Sequence, residues 1–154
     1  MTTVQPEKLS GEHFTSIQLG AWEQLTQYSV EVPALPGRKI PGKLFLRDLM
    51  GLSGMEISVN KFPAGVGMPF HHTHKLHEEV YLFIRGKGQF QVDGEVIEVR
   101  EGTVIAIAPG GKRVYRNNSS EDLYYLVIQA EQGSLTHSAT EDGVISRDAV
   151  IWPE

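Results

Sequence analysis

The sequence predicts an all-β fold in which short antiparallel strands close into a barrel or sandwich, flanked by N- and C-terminal extensions. Three observations carry this. Between residues 43 and 131, eight short apolar stretches follow one another, separated by turn residues and with no long helical segment between them. The 154-residue chain holds 16 Gly and 8 Pro, more turn formers than a helical bundle needs. Asp93-Gly94 stands between two alternating stretches and is the dipeptide that a type I′ hairpin turn demands.

Residues 1–42 read as an N-terminal arm. It is weakly patterned, with one short helix expected near residues 20–28, and Pro33, Pro36 and Pro41 punctuate its end. Residues 43–131 read as the barrel, with strands expected at 43–49, 55–62, 79–85, 88–92, 95–99, 103–108, 113–117 and 122–130. Closing the hairpin at Asp93-Gly94 pairs Val92 with Glu95 and Phe90 with Ile97. Phe90, Val92, Ile97 and Val99 then share one face. The stretches Val80 to Ile84 and Leu123 to Ile128 are apolar on both faces, so their outer faces need a cover. A second copy of the chain in a homodimer and the N-terminal arm are equal candidates. Residues 132–154 form a polar tail ending in Val150-Ile151-Trp152. Repeats and a second domain are absent.

Composition narrows the function classes. The chain is 40% hydrophobic and 21% charged, which suits a packed globular domain rather than a disordered one. The net charge is -5, so nucleic acid is not an expected partner. With no cysteine, disulfides, thiolate metal sites and thiol nucleophiles are excluded. The first nine residues lack a basic start and an apolar run, and no stretch is long enough to span a membrane. A soluble, cytoplasmic protein without a membrane partner is expected.

The chemistry concentrates in one segment. Four of the six histidines fall between His71 and His77, in the run His71-His72-Thr73-His74-Lys75-Leu76-His77-Glu78-Glu79. In an extended chain, His72 and His74 point to the same side. Neutral imidazoles are the commonest side-chain ligands of divalent transition metals. Glu79 opens an apolar strand and shares a face with Tyr81 and Phe83, where an ionised carboxylate needs a partner and a metal would supply one. Tyr81, Phe83, Val114 and Tyr125 are candidate lining residues, and Phe90 joins them unless these aromatics are plain core. Arg113 and Arg116 are expected on a solvated strand edge, with an anionic substrate at the rim as the alternative. His71 should point away, Glu78 should be exposed, and His13 and His137 receive no role.

These residues resemble the cupin superfamily. Its first motif runs from a glycine through His-x-His and a glutamate to a second glycine. Here His72-Thr73-His74 is followed by four residues, Glu79, six residues and Gly86, with Gly65 and Gly67 upstream. Its second motif runs from a glycine through Pro-x-Gly and a histidine to an asparagine. Here Gly102 precedes Pro109-Gly110-Gly111, and Asn118 takes the final position. Val114 stands where the histidine belongs. The resemblance spans residues 65–130 and implies a cupin-type antiparallel β-barrel or jelly roll, commonly with a metal on three histidines and one carboxylate. This chain offers His72, His74 and Glu79, with His77 as a substitute imidazole if the strand starts early. Two imidazoles and a carboxylate match the ligand set of non-haem iron oxygenases. A metal-free site is the competing reading.

The resemblance therefore implies one divalent transition metal, Fe, Mn, Zn, Ni or Cu. It also implies an enzyme acting on a small polar molecule by dioxygenase, isomerase, decarboxylase or lyase chemistry. The alternative is a non-catalytic barrel that binds or senses a sugar or other small ligand. No catalytic residue is singled out.

Overall fold

The computed structural model describes residues 4–153; residues 1–3 and 154, at the ends of the expected arm and tail, lie outside the described residues. The arm is more structured than expected. It carries β1 (Glu7–Ser10) and β2 (Thr15–Gln18), which pair with each other. A 3-10 helix follows over Trp22–Gln27, within the expected helical segment, and then β3 (Ser29–Glu31) and β4 (Lys39–Pro41), which also pair. β1 is exposed along its whole length, so it leaves no burial pattern in the sequence to read.

The barrel follows, with β5 (Lys43–Phe45), α1 (Arg47–Met50), β6 (Glu56–Phe62), β7 (His77–Arg85), β8 (Lys87–Val92), β9 (Glu95–Arg100), β10 (Val104–Ile107), β11 (Arg113–Arg116) and β12 (Leu123–Glu131). A five-stranded sheet runs in the order β10-β7-β12-β6-β5 and a three-stranded sheet in the order β11-β8-β9, with every pairing antiparallel. The expected strand 43–49 stops early. Glu56 Oε1 accepts the amides of Leu46 (3.1 Å) and Arg47 (2.9 Å), which turns the chain into α1 instead of extending it.

The hairpin closes in the expected register, Val92 opposite Glu95 and Phe90 opposite Ile97. Asp93 and Gly94 both take positive φ, 50° and 91°, as a type I′ turn requires. Gly86, between β7 and β8, is required twice over. Its φ is 95°, and a Cβ there would collide with the Asp122 carbonyl oxygen.

Pleat alternation sends Tyr81, Phe83, Tyr125 and Val127 of the large sheet inward against Phe90 and Val99 of the small one. Tyr81 and Phe90 meet edge to face at 4.8 Å. The outer face of the large sheet has its own core, in which Leu25, Tyr28 and Trp22 of the arm pack with Val59, Tyr124, Ile84 and Leu126. The arm therefore covers part of the doubly apolar strands. Val104, at the sheet edge, remains 59% exposed.

Past β12, the tail forms one short helix, α2 (Ala139–Asp142). Ser138 and Glu141 cap it reciprocally. Its apolar residues, among them Val144, Ile145 and Trp152, face solvent. No described helix is long and apolar enough to cross a membrane.

Candidate metal centre and cavity

The histidine segment is not part of a named strand, but it lies extended along β11. His72 and Arg113 exchange both backbone hydrogen bonds, at 3.0 and 3.1 Å, and the Gly110 amide donates to the His74 carbonyl at 2.9 Å. This pins the alternation that turns His72 and His74 to one side. Their rings stand perpendicular with centroids 5.5 Å apart. Glu79 comes from β7, on the inward face it shares with Tyr81 and opposite Gln129 of β12. One ligand atom from each of His72, His74 and Glu79 lies within 4.8 Å of the other two.

Glu79 is 3% exposed and fully engaged. Its Oε1 is 3.0 Å from His74 Nε2, and its Oε2 accepts from the Tyr81 hydroxyl at 3.1 Å and from the guanidinium of Arg113. This corrects two expectations. Arg113 does not sit on a solvated edge: its side chain is wholly buried and forms an ion pair with Glu79. Nor does the carboxylate lack a partner in the protein, since an arginine supplies the charge that a metal was expected to supply. Arg116 is exposed, as expected, and binds Gln89.

The second motif is shifted by one residue from its expected register. On β11, Arg113 and Tyr115 face inward, opposite Val92 and Phe90, while Val114 pairs with Gln91 on the other pleat. Val114 is therefore not the residue that faces Glu79 and does not line the cavity; Arg113 holds that inward position. Asn117 rather than Asn118 is the buried asparagine. Its side-chain amide donates to the carbonyls of Phe62 (3.0 Å) and Glu121 (2.7 Å) and closes the loop before β12. The spacing from Arg113 to Asn117 matches that from Val114 to Asn118, so the whole motif slides together.

His77 lies at the exposed start of β7. Its Nδ1 is 2.9 Å from Gln129 Oε1 and its ring is 6.1 Å from that of His74, so it stands outside the three-residue cluster. Phe83 is core at 1% exposure and is not a cavity residue. Tyr81 and Tyr125 do face the cavity.

That cavity measures about 470 Å³, within the usual range for small-ligand sites. His72, His74 and Glu79 line it together with Lys43, Ser58, Asn60, Tyr115 and Gln129, none of which the sequence singled out as site residues. Val32, Pro33 and Ala34, from the loop joining β3 to β4, and Met68 and Phe70 form apolar walls. Burial is the main cause that pushes the His72 imidazole down to about 4, with the Arg113 charge second, so the ring is neutral near pH 7. Burial drives the phenols of Tyr81 and Tyr125 well up from their usual range, and Tyr115 up to about 12. The hydroxyls of Tyr115 and Tyr125 bond each other at 2.8 Å and remain protonated.

Two imidazoles and a carboxylate are a donor set that fits a divalent transition metal. The Arg113 guanidinium on Glu79 is the feature of the site that opposes one.

Comparison with known proteins agrees with this architecture. The family model for a cupin domain matches residues 59–129. A cupin protein from Bacteroides fragilis is 37% identical, with a TM-score of 0.65 over 77% of this chain and 97% of that one. A predicted oxalate decarboxylase from Thermotoga maritima superposes with a TM-score of 0.56 at 19% identity, over 72% of this chain and 96% of that one. At that identity the likeness is one of fold. No curated protein matches the chain. The family match runs from within β6 nearly to the end of β12, and the Bacteroides protein is similar over almost its entire length: this chain belongs to the cupin superfamily.

Proposed function

We propose that this protein is a metal-binding cupin that admits a small molecule to the barrel and acts on it as a metal-dependent enzyme. The convergence of His72, His74 and Glu79 in the lining of a ligand-sized cavity carries this reading. His72 and His74 would hold the ion with Glu79, and the metal would supply Lewis-acid or dioxygen-activating chemistry. The remaining residues prepare the site. Arg113 and the Tyr81 hydroxyl fix the Glu79 carboxylate, and Val32 to Ala34 add apolar surface for a ligand to lie against. The paired hydroxyls of Tyr115 and Tyr125 offer hydrogen bonds to a ligand.

One observation favours a second reading. Arg113 already neutralises Glu79, so the barrel can hold its carboxylate without an ion and serve as a non-catalytic binding module. Elemental analysis of protein purified without chelator separates the two. Near-stoichiometric iron, manganese, nickel, copper or zinc, lost in His72→Ala and Glu79→Ala, is the expected result. No bound metal after reconstitution with each ion would overturn the enzyme reading and leave the binding module.

A further inference from the structure

We propose that the cavity selects a small organic acid with an apolar body, and that Lys43 is the residue that binds its carboxylate. This rests on the reading of the cavity as a ligand site and names the class of ligand.

The pairing of β5 with β6 places Lys43 opposite Asn60, on the inward pleat it shares with Phe45. Its Nζ donates to Asn60 Oδ1 at 2.8 Å and to Ser58 Oγ at 3.1 Å. The orientation of Asn60 is set by its other end. Its Nδ2 donates to the carbonyls of Ser58 (3.0 Å) and Tyr125 (3.3 Å) and to Ser58 Oγ (3.0 Å). Both partners of the ammonium are therefore neutral acceptors, and an ammonium has three N–H groups. The third N–H is shared between the Phe45 ring, whose centroid is 4.9 Å from Nζ, and the cavity.

Lys43 also lacks a counter-ion. Among the described residues it makes no ion pair, whereas Lys61, the other lysine on the cavity wall, is 3.2 Å from an Asp122 carboxylate oxygen. Two neutral oxygens and the Phe45 ring hold the ammonium, but no carboxylate touches it, and an anionic ligand would supply that charge. Charge balance points the same way. Lys43 lines the cavity and Arg113 lies behind it on Glu79, two positive charges against one negative in contact, while Glu56 acts on Lys43 only from outside the lining. A divalent ion on the His72, His74 and Glu79 cluster would add to that excess, so an anion is favoured with or without it. Much of the remaining lining is apolar: Val32, Pro33, Ile40, Phe45, Met68 and Phe70. A molecule with one carboxylate and an apolar remainder matches both regions.

The test compares acids with neutral amides of the same shape. Chelator-treated protein is titrated calorimetrically with benzoate, phenylacetate and hexanoate and with the corresponding amides. At least one acid is expected to bind about tenfold or more tightly than its amide, the worth of one charge-assisted hydrogen bond. Lys43→Met should lose that preference while binding the amide as before, and Lys43→Arg should keep it. Circular dichroism and the urea midpoint establish that the variants are folded, and the acid–amide comparison on the unaltered protein stands even if Lys43→Met is not. Equal binding of every acid and its amide, an undiminished preference in folded Lys43→Met, or no binding of any acid up to about 10 mM would overturn the proposal. Because the titration is done without metal and metal content is measured separately, failure here and failure of the metal-enzyme reading are distinguishable.

Discussion

Arg113 and Glu79 are a buried pair whose two members need each other. Taking two charges out of water is expensive, and removing one leaves the other buried and uncompensated. In chelator-treated protein, Arg113→Leu is therefore expected to lower the unfolding free energy by about 3–5 kcal/mol, read from urea denaturation. Added zinc or manganese should narrow the gap by supplying the missing charge to Glu79; a loss under about 1 kcal/mol would contradict the pairing. Lys43 predicts a pH dependence of its own. Burial pushes its ammonium down to about 8, although Glu79 and Glu56 pull the other way. In the unfolded chain the same group titrates near 10.4. Between these values the unfolded state binds more protons, so stability should rise with pH from about 8. The buried phenols oppose the rise above pH 10 or so, where unfolded tyrosines ionise. The comparison therefore belongs between about pH 8 and 10, where the urea midpoint of the unaltered protein should climb relative to that of Lys43→Met.

The arm is the element on which the outer face depends. Leu25 is 1% exposed and sits among Tyr28, Trp22, Val59 and Tyr124, so its contacts join the arm to β6 and β12. Leu25→Ala removes buried methyl groups from a site that can close only partially, at an expected cost of about 2–5 kcal/mol. Hydrogen exchange should localise the damage. Amides of β3 and β4 should exchange faster, while those of β7 and β12, held by the inner core, should keep their protection. The same pattern would reach the cavity, because the loop between β3 and β4 forms part of its lining. Accelerated exchange spread evenly over the barrel would contradict a separately docked arm.

Taken across the molecule, what could be read in advance is what short-range pattern encodes. Counting in twos from Glu79 places Tyr81 and Phe83 on the inward face of β7, and Asp93-Gly94 sets a register that the structure reproduces pair by pair. The His72, His74 and Glu79 grouping was legible because two-residue spacing survives wherever the chain is extended. Arg113 was misplaced because a one-residue slip after Pro109 inverts every side chain on β11, and nothing local to that strand reveals the slip. Lys43 was missed for a different reason: its importance comes from Ser58 and Asn60, which only the pairing of β5 with β6 brings beside it. The two tryptophans give the molecule a further property, an optical one. Trp22 is partly sheltered and edge-on to Tyr124 at 6.3 Å, whereas Trp152 is 84% exposed at the far end of the chain. Trp152 is therefore expected to be open to aqueous quenchers and Trp22 to be shielded from them until the arm undocks. Steady-state fluorescence can thus follow the two extensions separately, without an added label.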